Sequence, residues 1–349
     1  MQHQTIWKYF LFLLALTSCI DPVNINLKPE PDQLVVEGLI TNESAQSPVK
    51  LAYTQPYTQQ VGVIPKPLRN ATVYVEDQNN NRFNYYENAP GNYIPESFTG
   101  VVGNTYTLTI ITEGKKVYKS KPEKMLPTRP VDGLSAELRA RPRVDSQGDE
   151  IIEYSFQTFV NTSDPAEEKN YYMWRWIGTY EVHTQPQDHT KDVKGNPVPD
   201  PLPCCAVCWI TEGHQNISVR NDALINGNKI IKQPIALLPI LPQNFNFKYH
   251  LRVKQYSLTE SAYDFWRILT SQVTGVGSVQ DPPPASVPGN IYNEDDENEI
   301  VLGYFGASAV STDAIFIDRG EIPFPIPKFI LADDCRVMEN STAIKPDFW

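Results

Sequence analysis

The sequence lacks an apolar run long enough to cross a membrane as a helix. Its longest run, Tyr9 to Leu16, is far shorter than the ~20 residues that a bilayer requires. Basic residues are few, 30 Lys and Arg against 41 Asp and Glu, so the net charge is −11. Nucleic-acid binding needs clustered cations, and this balance therefore argues against a nucleic-acid partner.

Catalytic motifs are missing as well. The sequence contains no His-Glu-x-x-His zinc motif, no Gly-x-Ser-x-Gly nucleophile elbow and no glycine-rich phosphate loop. Only four histidines follow the first 18 residues, namely His183, His189, His214 and His250. We therefore predict no catalytic residues, no metal site and no cofactor. A triad dispersed along the chain would leave no such motif, so an enzyme of the cell envelope remains an alternative.

The first residues have the order of a lipoprotein signal. Lys8 and the apolar run precede Leu16-Thr17-Ser18-Cys19, which predicts removal of residues 1–18 and acylation of Cys19. Acyl chains such as palmitate contribute ~0.8 kcal/mol per buried methylene, so more than one chain gives stable anchoring. Ile20 rather than aspartate follows the cysteine, which favours the outer membrane. A signal cleaved elsewhere, with Cys19 unmodified, is the alternative.

Composition and periodicity predict a mainly β fold. The sequence has 30 prolines and 11% aromatic residues, and helix interiors exclude proline. Apolar and polar residues alternate over 71–76 and 105–110, as in half-buried strands. We expect a proline-containing stalk over 19–32 and an immunoglobulin-like β-sandwich over 33–127. A second β-rich domain with one inserted helix follows over 128–349.

The second domain contains two clear strands and the helix. Tyr171 to Val182 places Tyr172, Trp174, Trp176 and Tyr180 on one face, and Phe245 to Val253 alternates with polar residues. Ser257 and Glu260 have capping-box spacing, which predicts a helix over 258–274, and Gly275 ends it. A proline-rich stretch from Thr184 to Pro203 reads as a long loop.

Several segments together resemble a known family. They are LVVEGLITN (34–42), the cysteine-rich 204–209, DPPPASVPGNI (281–291) with VLGYFGASAV (301–310), and KPDFW (345–349). With the predicted lipidation signal, they resemble the Bacteroidota outer-membrane lipoprotein family known as domain of unknown function 4249. The resemblance implies an envelope lipoprotein of the kind often found beside TonB-dependent outer-membrane receptors. It supplies no catalytic residues.

The remaining cysteines carry the strongest chemical signal. Cys204, Cys205, Cys208 and Cys335 are even in number and would lie in an oxidising compartment, so we predict disulfides. We expect Cys335 to pair with one of the other three. A zinc site with His214, or a redox-active pair, are the alternatives.

Two further patterns allow both a functional and a structural interpretation. Trp174 and Trp176 could form an exposed platform for sugar rings, or fill a β-sandwich core. Glu294 to Glu297 with Glu299 could hold calcium, or form a solvated acidic loop.

Three functions are consistent with these features. We expect a non-enzymatic protein, anchored to the membrane through its amino-terminal lipid, that acts as an accessory or binding partner of a TonB-dependent receptor. Nutrient capture and envelope assembly are the processes that fit such a role. A surface glycan-binding or adhesive module is the second alternative, and an envelope enzyme is the third.

Overall fold

The structure is a computed structural model. It describes residues 32–44, 47–55, 65–166, 168–213, 217–274 and 287–349. The predicted signal, Cys19, the stalk up to residue 31 and His214 lie outside the described residues. None of the helices in these ranges combines the length and the hydropathy of a membrane span.

Strands account for 51% of the residues and helices for 8%, so the predicted mainly β class is confirmed. The first nine strands are β1 (Leu34–Thr41), β2 (Val49–Tyr53), β3 (Lys66–Pro67), β4 (Thr72–Asp77), β5 (Arg82–Ala89), β6 (Asn92–Pro95), β7 (Thr105–Ile111), β8 (Val117–Ser120) and β9 (Glu123–Lys124). The next nine are β10 (Val131–Val144), β11 (Glu150–Ser163), β12 (Tyr171–His183), β13 (Thr190–Val193), β14 (Asn196–Pro199), β15 (Val207–Gly213), β16 (Ser218–Asn221), β17 (Lys229–Pro239) and β18 (Lys248–Ser257). Helix α1 (Glu260–Thr274) precedes β19 (Ile291–Asn293), β20 (Leu302–Ser308), β21 (Val310–Asp318) and β22 (Ser341–Thr342).

The nine amino-terminal strands form one sheet of eleven strands together with β19 and β20. Its order is β19-β8-β7-β4-β5-β6-β2-β1-β20, with β3 beside β2 and β9 beside β7. The two strands at the ends of this order contact each other, so the sheet curls around an apolar core. Alternate residues point into that core, among them Leu34, Val36 and Ile40 of β1.

The boundary predicted at residue 127 does not separate two contiguous domains. Strand β20 pairs in parallel with β1, from Val35 opposite Leu302 to Thr41 opposite Ser308, and β19 pairs with β8. Residues 291–308 therefore belong to the first sheet, and the region predicted over 128–349 is interrupted. A parallel pair is joined by a long crossover rather than a tight turn, so no local sequence signal marks it.

The rest of the chain builds two facing sheets. One has three strands in the order β10-β11-β17, and the other has the order β21-β18-β12-β15-β22, with β16 beside β12. One core cluster contains residues of both sheets, including Phe156 and Leu238 from the first and Trp174 and Leu251 from the second. The sheets thus pack as a β-sandwich. The predicted loop from Thr184 to Pro203 contains a small hairpin of its own, β13-β14.

Helix α1 joins the two regions. It begins two residues later than the predicted start at residue 258, because Thr259 rather than Ser257 caps it: the Thr259 hydroxyl accepts a 3.2 Å bond from the Ala262 amide. Ser257 is instead the last residue of β18 and donates to the Leu126 carbonyl. The buried side chains of the helix pack against residues of β12, β18 and β20; this cluster includes Ala262, Phe265, Met173, Tyr256 and Tyr304.

Candidate binding face on the six-stranded sheet

The four cysteines are at disulfide distance in two pairs. Cys208 and Cys335 are joined with an S–S distance of 2.05 Å, and Cys204 is joined to Cys205. Both Cys208 and Cys335 are fully buried. The Cys335 amide also donates to the Cys205 carbonyl at 3.0 Å. This cluster fastens the carboxyl-terminal segment to β15.

The metal alternative finds little support in this cluster. Among the described residues, Cys204, Cys205 and Asp334 are the one group whose ligand atoms all lie within 4.8 Å of one another. The Asp334 carboxylate already forms a 2.6 Å ion pair with Arg336 and accepts a bond from the Arg336 amide. These contacts lower the pKa of Asp334 to about 2. The Asp334 carboxylate therefore stabilises the turn at Arg336, and these bonds compete with any metal ion for its oxygens.

The aromatic stripe of β12 lies inside the sandwich. Trp174 is 0% exposed and Trp176 is 4% exposed. The Trp174 indole donates a 2.8 Å bond from Nε1 to Oε1 of Gln255, which is also buried. A platform for sugar rings needs exposed ring faces, and these two indoles offer none.

The described histidines are each held by neighbouring groups. His183 Nε2 lies 2.6 Å from the Glu181 carboxylate, and His189 Nδ1 lies 3.0 Å from the Asp200 carbonyl. The His250 ring stacks on Phe348, with centroids 4.2 Å apart. These three histidines lie on different strands and loops and contact different groups, so they do not converge on one site.

The acidic loop is tied to the first sheet by cations. Glu294 forms a 2.6 Å ion pair with Lys119, and Glu299 forms a 2.9 Å pair with Lys116. Glu299 also accepts a 2.7 Å bond from the Tyr118 hydroxyl. Two of the five carboxylates of this loop, Glu294 and Glu299, therefore form ion pairs on the protein surface.

The outer face of the six-stranded sheet carries a row of basic side chains along β18, although Glu181 of β12 and Asp318 of β21 lie on the same face. Alternation along β18 points Tyr249, Leu251 and Val253 into the core, where all three are fully buried. Their neighbours Lys248, His250, Arg252 and Lys254 point to the outer face. Across the strand pair, Arg175 of β12 lies opposite Lys254. The sequence alone shows this alternation, which predicts the polar side of a strand but not a binding face.

Aromatic residues of the carboxyl-terminal segment cover one end of this face. Phe348 stacks on His250, and the Trp349 indole donates a 2.9 Å bond to Glu181. Lys248 lies 4.1 Å from the Phe316 ring centroid and 4.8 Å from that of Trp349. Burial, together with the charges of Arg252 and Lys248, lowers the pKa of His250.

Helix α1 and the segment after β1 cover the other end. The Arg175 guanidinium lies 5.1 Å from the Trp266 ring centroid, within cation–π range. Lys254 forms a 2.6 Å ion pair with Glu43. Arg252 lies between the two covered ends. We define the cationic face as Arg175, Lys248, His250, Arg252 and Lys254.

The family profile described as Domain of unknown function (DUF4249) matches residues 20–314. No curated protein matches the chain.

Proposed function

Because this chain belongs to the family described as Domain of unknown function (DUF4249), we propose that it is a lipid-anchored, non-enzymatic binding protein of the outer membrane. We further propose that it acts beside a TonB-dependent receptor, in nutrient capture or envelope assembly. The anchor is Cys19, which follows the apolar run that ends at Leu16. Its acyl chains would hold the folded body at the membrane surface.

One observation carries the binding role. The cationic face places four side chains that are positively charged at neutral pH, Arg175, Lys248, Arg252 and Lys254, on one side of a single sheet, in a protein whose net charge is −11. Clustered charge of one sign concentrates ligands of the opposite sign and steers their approach. Rigid β-strands also hold such side chains in fixed positions, as a binding site requires.

The non-enzymatic character rests on how the reactive side chains are used. His250 packs between the rings of Phe316 and Phe348. The Cys208 and Cys335 thiols are consumed in a disulfide. Neither arrangement leaves a base beside a free nucleophile, as covalent catalysis requires.

A cross-linking experiment on the full-length protein in its native membrane tests this function. We expect the wild-type protein to carry acyl chains on Cys19 and to be cross-linked to a TonB-dependent receptor identified by mass spectrometry. Cys19→Ala should leave the membrane fraction and lose the receptor. Leu224→Ala, a change at a side chain that is 96% exposed, serves as the control and should behave as wild type. An unmodified Cys19, or a wild-type protein that recovers no such receptor, would contradict the proposal.

A further inference from the structure

We propose that Arg175 and Arg252 form the anion-binding centre of the cationic face, and that they hold the carboxylate or phosphate group of a small ligand. The inference rests on the proposed binding function and names the chemical class of its ligand.

Strand register brings the two arginines together. Arg175 lies opposite Lys254, and Arg252 lies opposite Ile177, two residues further along β12. Residues 175 and 252 are therefore diagonal neighbours on one face of an antiparallel pair, with Cα atoms ~7 Å apart. Two arginines at this spacing can reach the same oxyanion from two sides.

Neither guanidinium has an acidic partner. Among the described residues, no carboxylate forms an ion pair with Arg175 or Arg252, whereas six of the twelve arginines have such a partner; these are Arg69, Arg82, Arg139, Arg143, Arg267 and Arg336. Lys254, on the same face, is paired with Glu43. The charge of the two arginines is thus left uncompensated on this part of the sheet.

The Nε atoms of both arginines are also buried. Both lie out of contact with water and have no hydrogen-bond partner among the residues that the structure describes. Burying an N–H donor without a hydrogen-bond acceptor raises the free energy of the folded protein, because the donor loses its bond to water. Native proteins therefore almost always provide an acceptor for such groups. Because water does not reach these Nε atoms, a ligand oxygen accepts their bonds only when the surrounding side chains move aside.

The surroundings hold one guanidinium in place and leave room beside the other. Trp266 stacks on Arg175, which restricts its guanidinium. The row of side chains that contains Arg252 is formed by small or apolar residues, since Ala314 and Ile177 flank it on the neighbouring strands. Gly213 lies opposite Ile177 in the same row, and a Cβ atom there would meet no described atom within 4 Å.

The size of the open region limits the ligand. The rows of Arg175 and Thr179 are four residues apart on β12, which corresponds to ~13 Å along the strand. Trp266 covers one end of this span, and Phe348, stacked on His250, covers the other. A compact molecule with one or two charged groups fits this span. The forked geometry of arginine favours planar carboxylate and tetrahedral phosphate oxygens over chloride.

A titration of the full-length protein tests the centre. The probes are inorganic phosphate and acetate, each added at constant ionic strength against a chloride control, and the readout is the side-chain Nε–H NMR signals of the arginines. We expect the Arg175 and Arg252 signals to shift together with at least one probe, with a Kd on the order of 1 mM. The probe that binds more tightly identifies the ligand as a phosphate or a carboxylate.

Matched variants locate the site. Arg175→Gln and Arg252→Gln should each weaken probe binding roughly 10-fold, and Arg252→Lys, which keeps the charge but loses the fork, should weaken it roughly 3-fold. Arg141→Gln changes an exposed arginine on the three-stranded β-sheet and should leave binding unchanged. If either glutamine variant fails to fold, the lysine variant and the wild-type NMR shifts still decide the question.

The result is separable from that of the proposed function. No shift of either arginine signal with either probe, or equal weakening by Arg141→Gln, would overturn the anion centre even where the receptor is recovered by cross-linking. Failure to recover a receptor, together with phosphate or acetate binding at both arginines, would instead remove the receptor role and leave the centre in place.

Discussion

The Tyr304 hydroxyl donates a 2.5 Å hydrogen bond to the buried carboxylate of Glu123, and so links β20 to β9 within the first sheet. Glu123 is only 3% exposed. Three more side chains, from the start of α1 and the segment before β19, donate to the same carboxylate; they are Thr259 at 2.8 Å, Ser261 at 3.2 Å and Asn290 at 3.3 Å. One acidic group therefore joins four segments that are distant in sequence.

This carboxylate makes the stability depend on pH. Burial raises the pKa of Glu123, and the hydrogen bonds offset only part of that effect. Because the folded pKa is higher than the unfolded one, the unfolded chain ionises first as the pH rises above about 4.5. The contribution of Glu123 to the free energy of unfolding is thus largest at low pH and is lost as the pH rises through its folded pKa.

Glu123→Gln should remove this fall because glutamine does not ionise. We expect the free energy of unfolding of the variant, relative to wild type, to increase between about pH 4 and pH 7 in urea titrations. Glu113→Gln, at an exposed turn, is the control and should run parallel to wild type. Parallel curves for Glu123→Gln and wild type would show that Glu123 does not titrate abnormally.

Trp174 should be a main determinant of stability in the sandwich. Trp174→Phe retains a ring but removes the 2.8 Å bond to Gln255 and leaves a small cavity. We expect a loss of about 2–4 kcal/mol in the free energy of unfolding, measured by urea denaturation. Leu224→Ala, at a side chain that is 96% exposed, should cost less than about 0.5 kcal/mol. A neutral Trp174→Phe would contradict a core role for the indole.

Local sequence patterns predict the strands well and their assembly poorly. The period-two pattern over Tyr171 to Val182 predicts a strand, and β12 spans Tyr171–His183. The pairing of β20 with β1 leaves no such trace, because residues about 267 positions apart meet only through the fold. The spacing Ser257-x-x-Glu260 predicts a helix cap at Ser257, but in the tertiary fold that hydroxyl donates to the Leu126 carbonyl.

In the candidate site, too, the sequence predicts which residues share one face of a strand but not which other segments reach that face. The alternation of Lys248, His250, Arg252 and Lys254 is visible in the sequence and predicts that they share a face. That Arg252 lacks an acidic partner while Lys254 has Glu43 depends on which loops reach the sheet. Arg175 joins the face from a strand some 77 residues earlier in the chain, so only the strand register reveals the pair.

The Cys208–Cys335 disulfide should stabilise the fold strongly. It joins residues 127 positions apart, and in the chain-entropy account a long closed loop restricts the unfolded state most. Cys335→Ser should therefore lower the free energy of unfolding by about 2–5 kcal/mol in urea titrations of the oxidised protein. The control is the double variant Cys204→Ser, Cys205→Ser. It removes a disulfide between adjacent residues, which closes almost no loop, so the free energy of unfolding should fall by less than in Cys335→Ser. An equal or larger loss in this control would contradict the assignment of the main constraint to Cys208 and Cys335.

His250 should make the sandwich less stable in mild acid. Burial lowers the pKa of His250, and the positive charges of Arg252 and Lys248 lower it further. As the pH falls through about 6.5, the unfolded chain takes up the proton before the folded protein does. The contribution of neutral His250 is therefore present above that pH and is lost as the pH falls through the folded pKa.

His250→Phe tests this expectation because phenylalanine retains the ring stacked on Phe348 but cannot ionise. We expect the variant to lose less stability than wild type between about pH 7 and pH 5 in urea titrations. His183→Phe, at an exposed ring, is the control. An NMR titration in which His250 gains its proton at or above its ordinary pKa would contradict the prediction.

A neutral His250 also means that, at neutral pH, the positive charge of the cationic face comes from its arginines and lysines alone. Anion binding to this face should therefore not weaken as the pH rises through 7.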